Sequence, residues 1–559
     1  MLFRSIAWNP SYGSGFLGHM FGDRKTVIRG GYGISYDRIN TVGSVIIPML
    51  GVGFAQTLSV GAPGCAASGT PGTGCGVNNT PGGSIFRVGQ DGTIPTPAPL
   101  GKQNIPVVPQ GFLAETLSFA VDPDFKVGRN HMVDFTVQTE MRGNMLLEFG
   151  FIGRYARDLL NNVNFNSSPI MFKDPASGQT FAQAYDALSA QVRNNQSITP
   201  QPFFEKYIPL GACNGILGVS ATSSTSCLAQ GDTGDFTGFN VSDLFLIMDI
   251  VRGLGAGLPT FNNLNILDMF VRTHRDYSNY NAGFVALHNR GWHGMQFDLN
   301  YTYSKSLDQI GTVQNSASYY ASSFNPTYEY GPSFFDRPHI FNGTYNYDLP
   351  FGHGHLLGSS SHEWFNKVIG GWYTAGVVRV ASGQPLTVVQ GLSGSSLGGG
   401  IIFGVPQGAI PTVTPNSLGG GVHEGVCSSS GVGSTGDGPN CSPGDTGTGI
   451  NYFANPAAAL KDFRPILLAS DGRTGRSRPL RGFGIRSFDM RIGKETKFHE
   501  KYGFEISADL FNAFNHPIFL NPNLDLTTLP TFGVVSSTLI PANRTSSSRW
   551  IQLGLRINF

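Results

Sequence analysis

The sequence predicts an all-β protein, an antiparallel transmembrane β-barrel, and three observations carry that prediction. Charged residues make up 13% of the 559 and aromatic residues 12%, with 75 glycines. Soluble globular chains carry about 25% charge, so this one lacks the means to solvate a large surface. Apolar and polar residues alternate with period two in segment after segment, as in strands whose faces meet unlike surroundings. The links between those strands alternate between short turns and long loops, the asymmetry of a barrel with a periplasmic and an extracellular rim. No apolar run is long enough to cross a bilayer as a helix. A formal net charge of +1 offers nothing to nucleic acid or to an acidic partner.

About eleven strands are expected, near 3–9, 25–37, 130–141, 144–156, 277–289, 292–305, 337–349, 371–382, 484–496, 501–513 and 549–559, each end uncertain by roughly 2–4 residues. In the sixth, Met295, Phe297, Leu299, Tyr301 and Tyr303 alternate with Gln296, Asp298, Asn300, Thr302 and Ser304. In the tenth, Tyr502, Phe504, Ile506, Ala508 and Leu510 stand opposite Gly503, Glu505, Ser507 and Asp509. Mid-strand charges such as Asp298, Arg491 and Glu505 keep to the polar side, which in a barrel lines a wet lumen. MRGN (141–144), HNRGW (288–292) and ETKFHEK (495–501) are the short turns. The long segment after the fourth strand carries helical stretches, one in SGQTFAQAYDALSAQVRNN beginning near Ser177 and one in VSDLFLIMDIVRGL. A ligand-binding lid and a self-packed loop both fit them.

The two ends differ in kind. MLFRSIAWNP has neither the apolar core nor the small-residue cleavage site of a secretory signal. Single-chain bacterial barrels have an even number of strands, and an odd number whose first strand runs toward the periplasm leads us to expect at least one strand before Met1. At the other end RWIQLGLRINF places Ile551, Leu553, Leu555, Ile557 and Phe559 on one side, and Gln552, Gly554, Arg556 and Asn558 on the other. It reads as a closing strand whose apolar side meets lipid.

The six cysteines form three local pairs, Cys65 with Cys75, Cys213 with Cys227 and Cys427 with Cys441, all in the long segments. Loop-closing disulfides in an oxidising exterior are expected; free thiols or metal ligation are the alternatives, and the clustered Cys/His spacing of a metal site is missing. Enzyme motifs occur out of context. GSSLG (394–398) lacks the strand and helix that a nucleophile elbow requires. GVGSTG (431–436) lacks a βαβ frame. His353 with His355, and His288 with His293, are expected to be exposed polar residues at turns. No enzyme, metal site or cofactor is indicated.

Four segments resemble the C-terminal barrel part of TonB-dependent outer-membrane transporters, of the Oar-like group: DRKTVIRGGYGISYDR (23–38), RGNMLLEFGFIGRYARDLL (142–160), GGWYTAGVVRVASGQPLTV (370–388) and, most specifically, GFEISADLFNAFNHPIF (503–519) followed by Phe532, Gly533 and the terminal strand. In the second, Ile152, Gly153 and Tyr155 depart from the group's usual order. The resemblance spans nearly the whole of 1–559. It implies a barrel of about 22 strands with a plugged lumen, of which this chain supplies the second half, without the plug, the TonB-interacting box or the regulatory N-terminal domain. It also implies a place in the outer membrane of a Gram-negative bacterium, and uptake of an unidentified substrate by the parent. Its partners would be outer-membrane lipid, the barrel assembly machinery reading the terminal aromatic, and TonB only through the missing plug. A self-contained porin-like protein and a structural or adhesive one are the alternatives.

Overall fold

The computed structural model describes residues 2–11, 24–38, 115–309, 322–390, 408–414, 420–424, 450–498, 502–527, 531–541 and 546–559, with positions 15, 16, 18, 111, 112 and 320. Eleven strands follow one another in a single antiparallel path: β1 (Leu2–Trp8), β2 (Thr26–Tyr36), β3 (Arg129–Met141), β4 (Met145–Asn164), β5 (Ile266–Trp292), β6 (Met295–Asp308), β7 (His339–Asp348), β8 (Trp372–Ala381), β9 (Ile485–Phe498), β10 (Tyr502–Phe511) and β11 (Trp550–Asn558). Each pairs with its sequence neighbours, so every connection is a hairpin. Among the described residues the sheet is open, with β1 and β11 at its edges. No helix among them is long and apolar enough to cross a membrane.

Local chemistry sets the tight turns. Between β5 and β6 both turn residues have positive φ, His293 at 50° and Gly294 at 78°, the mirror-image turn whose twist matches that of its strands. Gly143 (φ 81°) and Asn144 (φ 56°) serve likewise between β3 and β4. Two connections on the rim of short turns are longer than the rest: β1–β2 spans 9–25, and β7–β8 is longer still. The β7–β8 connection runs over 349–371 and contains a helix, Glu363–Ile369.

Three features depart from the expected strands. β4 and β5 run on past the expected 156 and 277, to Asn164 and from Ile266, with register shifts between Ala156 and Asn161. A further strand, Glu115–Val121, lies parallel to the Ile266–Arg272 end of β5. A two-residue strand at Gly331–Pro332 pairs with Leu307 and Asp308 of β6. All three lie at the rim of long loops, where strand ends are covered by protein and alternation no longer has a purpose.

The β4–β5 loop folds into helices α1 (Phe181–Arg193), α2 (Pro202–Tyr207), α3 (Leu210–Leu217), α4 (Ser224–Gly231), α5 (Thr233–Thr237) and α6 (Val241–Ile250). A capping box starts α1: the Thr180 hydroxyl accepts from Gln183 N, and the Gln183 side chain accepts from Thr180 N. Phe181, Tyr185, Phe203, Phe204, Phe236 and Phe245 are fully buried in an aromatic core, with the Phe181 and Phe245 rings 4.1 Å apart. Tyr328, Ile410, Ile466 and Leu468 from two other long loops join that core. A second core, holding Leu386, Val388, Phe453, Leu480 and Phe532, links the β8–β9 and β10–β11 loops. Four long loops thus make one packed cap.

Candidate functional site

Residues directly opposite on paired antiparallel strands share a face, and the register sorts the wall into two. One face carries Phe149, Val285, Tyr301, Ile506, Leu553 and Leu555, all substantially exposed. The other carries paired polar groups. Arg154 Nη1 lies 2.9 Å from Asp134 Oδ1, Gln138 donates to Glu148, and His288 Nδ1 is 2.6 Å from Asp298 Oδ1. Further along the sheet Arg491 is forked onto Asp509, with Nε–Oδ1 2.5 Å and Nη2–Oδ2 2.8 Å. Bare apolar rings on one side and charge on the other fit lipid outside and water within.

The densest charge on the polar face lies where β8 to β11 meet. Glu505 faces Glu495 on one side and Arg556 on the other. The Tyr373 hydroxyl donates to the Glu505 carboxylate. Gly493 makes that contact possible, because a Cβ there would meet the Tyr373 ring at 2.3 Å. Two carboxylates set opposite repel, so the tyrosine proton and the Arg556 charge offset what would otherwise open this part of the sheet.

Above the wall, polar clamps join the loops. Arg476 is buried; it pairs with Asp308 and donates to the carbonyls of Glu329 (2.6 Å) and Pro332 (3.2 Å). Asp336 accepts from Ser306 N at 2.7 Å and pairs with Arg481 at 2.9 Å. Asp186 of α1 receives both Leu468 N and Ala469 N at 2.9 Å, fastening the helices to the β8–β9 loop. Glu205 accepts from Ser224 N and Thr225 N and so holds the start of α4. Burial raises several of these carboxyls. Glu329 is pushed up to about 7, with Arg476 acting against the rise. Asp249 is pushed up to about 6, although Phe261 N and Asn262 N donate to it.

Cys213 and Cys227 are joined in a disulfide, both fully buried between α3 and α4. Cys65, Cys75, Cys427 and Cys441 lie outside the described residues, as do GSSLG and GVGSTG. Ile551, Leu553, Leu555, Ile557 and Phe559 are exposed along the edge strand β11 and just beyond it. Among the described residues no group of His, Cys, Asp or Glu is placed to hold a metal ion. Sequence reasoning found the charged strand positions but not their partners, nor Arg476, whose contacts lie more than a hundred residues away.

A wall with one bare apolar face, hairpin connections throughout and a packed cap on one rim defines an outer-membrane β-barrel protein. The chain belongs to the family described as outer membrane beta barrel domain, which matches residues 14–552, and its place is the outer membrane of Gram-negative bacteria. No curated protein matches the chain. Among solved structures it is similar to the outer membrane transporter YddB from Escherichia coli, at 8% identity over 96% of this chain and 39% of that one, with a TM-score of 0.37. The ferric-catecholate import receptor Fiu from K12 E. coli gives 7% identity, 96% and 33% coverage and a TM-score of 0.30. The FrpB iron transporter from Neisseria meningitidis gives 7%, 78% and 32%, and 0.28. The chain spans less than two fifths of the length of each. The family assignment rests on the domain match and not on these likenesses.

Proposed function

We propose that this chain is the C-terminal part of the barrel of a TonB-dependent transporter, over 1–559, and that it takes no part in catalysis. The observation that carries this is the pairing of a charged inner face with a cap built from four long loops. The cap receives the substrate from outside, and the charged face guides it along the wall. Among the described residues the sheet is open at β1 and β11, which supports a barrel completed by further strands, and a plug on such a segment would be the contact with TonB. Phe559 and the alternate apolar residues of β11 serve as the signal for the barrel assembly machinery. The test is uptake by cells producing the parent protein, with and without TonB. Uptake that persists unchanged without TonB refutes energy coupling, and stable conductance of the chain alone in planar bilayers would replace it with a self-contained channel.

A further inference from the structure

The helix Glu363–Ile369 stands on the rim of short turns, and none of its residues is buried. At about 100° per residue, Trp364, Phe365 and Val368 share one face while Glu363, Asn366 and Lys367 share the opposite one. The apolar face is bare: Trp364 is 69% and Val368 56% exposed, and Leu356, in the turn before the helix, is 87% exposed. The polar side and Ile369 hold the helix to its own connection. Asn366 Oδ1 accepts from His353 N at 2.8 Å, and Ile369 Cδ1 packs so closely on Gly358 that a Cβ there would meet it at 2.7 Å. The seating is specific, and it turns the rings outward.

The helix is also fastened to the lipid-facing side of the wall. Trp372 Nε1 donates to Val368 O at 3.1 Å. Trp372 stands opposite Lys494 in the register, on the same face as Phe488, Met490 and Ile492. The Lys494 ammonium lies 5.4 Å from the Trp372 ring centre and donates to Gly370 O. Trp292, half-exposed, marks the same rim at the β5–β6 turn. Tryptophan rings flanked by lysine fit the boundary between phospholipid headgroups and acyl chains.

We propose that Glu363–Ile369 is an interfacial anchor, lying in the periplasmic leaflet of the outer membrane with Trp364, Phe365 and Val368 turned into the acyl region. Its occupant is a phospholipid surface, because the apolar face continues the lipid-facing wall through Trp372. The test uses the protein reconstituted in vesicles of phosphatidylethanolamine and phosphatidylglycerol. Nitroxide labels are placed through E363C, W364C, F365C, K367C and V368C, one at a time, and the unsubstituted protein supplies the background. Collision with oxygen relative to an aqueous nickel chelate should be severalfold higher at 364, 365 and 368 than at 363 and 367. In parallel, brominated phospholipids should quench a component of tryptophan emission that W364F lacks, which keeps the test valid should a label disturb the helix. Equal access to the nickel reagent at all five positions would overturn the proposal. So would shielding of the apolar face from both reagents, which would assign it to a protein partner or a second copy.

Discussion

Arg491 and Asp509 meet as a two-pronged fork across neighbouring strands, Nε to Oδ1 at 2.5 Å and Nη2 to Oδ2 at 2.8 Å, in direct register. One residue further along each strand the partners are Ile492 and Ala508, which face the other way. Here the wall changes from charge to hydrocarbon in a single step along the chain.

That alternation predicts unequal costs for equal changes. Arg491→Ala removes a partly exposed pair, worth about 0.2–1 kcal/mol in a watery lumen. Leu553→Arg, on the opposite face two strands away, should cost about 2–4 kcal/mol near the bilayer midplane. Urea unfolding in lipid vesicles measures both, and a larger loss for Arg491→Ala would reverse the assignment of faces.

The cap should depend on its disulfide. Replacing Cys213 and Cys227 by serine frees a short buried loop and should cost about 2–4 kcal/mol of cap stability. Limited proteolysis should then nick the helices between β4 and β5 sooner, with the strands still protected. Cleavage at an unchanged rate would mean that aromatic packing alone holds the helices.

Asp186 is the fastening between helices and neighbouring loop. Asp186→Ala leaves the partly buried amides of Leu468 and Ala469 without their acceptor, a loss on the order of 1 kcal/mol for each. Hydrogen exchange should quicken at those two amides while α1 keeps its protection. Faster exchange throughout α1 would show instead that the carboxylate supports the helix itself.

Acidity should tighten the cap. Glu329 rises from an ordinary 4.5 to about 7 on burial, and Asp249 from 3.8 to about 6. Below their unfolded values both are neutral in either state, so their contribution is fully present. As pH rises through the folded values the unfolded chain has already released protons that the cap retains, and stability falls. The effect is on the order of 1–3 kcal/mol between pH 5 and 8. Asp174 and Asp471 are held low by hydrogen bonds, and their opposite contribution falls below this window. Exchange of cap amides, corrected for intrinsic rates, should be slower at pH 5 than at pH 8, and Glu329→Gln should flatten the difference. Greater protection at pH 8 would contradict the burial argument.

Removal of Phe559 tests the terminal strand. Deleting it from the parent protein should lower the amount assembled in the outer membrane, read as heat-modifiable migration on gels. Unchanged assembly would leave Phe559 as an exposed residue without a role in insertion.

The wall was largely legible in the sequence because lipid and water impose a period of two on every strand they flank. Most ends of the expected segments fall within two residues of the observed ones, from Leu2–Trp8 to Trp550–Asn558, but 277–289 and 292–305 miss by three or more at both ends, against Ile266–Trp292 and Met295–Asp308. Legibility stopped where that constraint stopped. Asn161, Asn162 and Asn164 continue β4 while buried under the cap, so neither face shows a pattern. Glu115–Val121 pairs parallel with a strand about 150 residues later, and nothing local announces such a partner. The helices around Ser177 and in VSDLFLIMDIVRGL were visible from their composition, yet their shared aromatic core depends on residues from three loops. Arg476 and Asp308 gave no signal at all, since an ion pair across such a separation has no signature in either neighbourhood.

The aromatic core around Phe181, Tyr185 and Phe245 is closed by protein on all sides, whereas the wall is closed on one side by hydrocarbon. The two halves of this molecule therefore answer to different solvents. Detergent or lipid thickness governs whether the strands hold together, while reductant and pH govern the cap. A preparation can lose one without the other, and a binding assay that monitors only intact migration of the wall would miss the loss of the part that meets the outside.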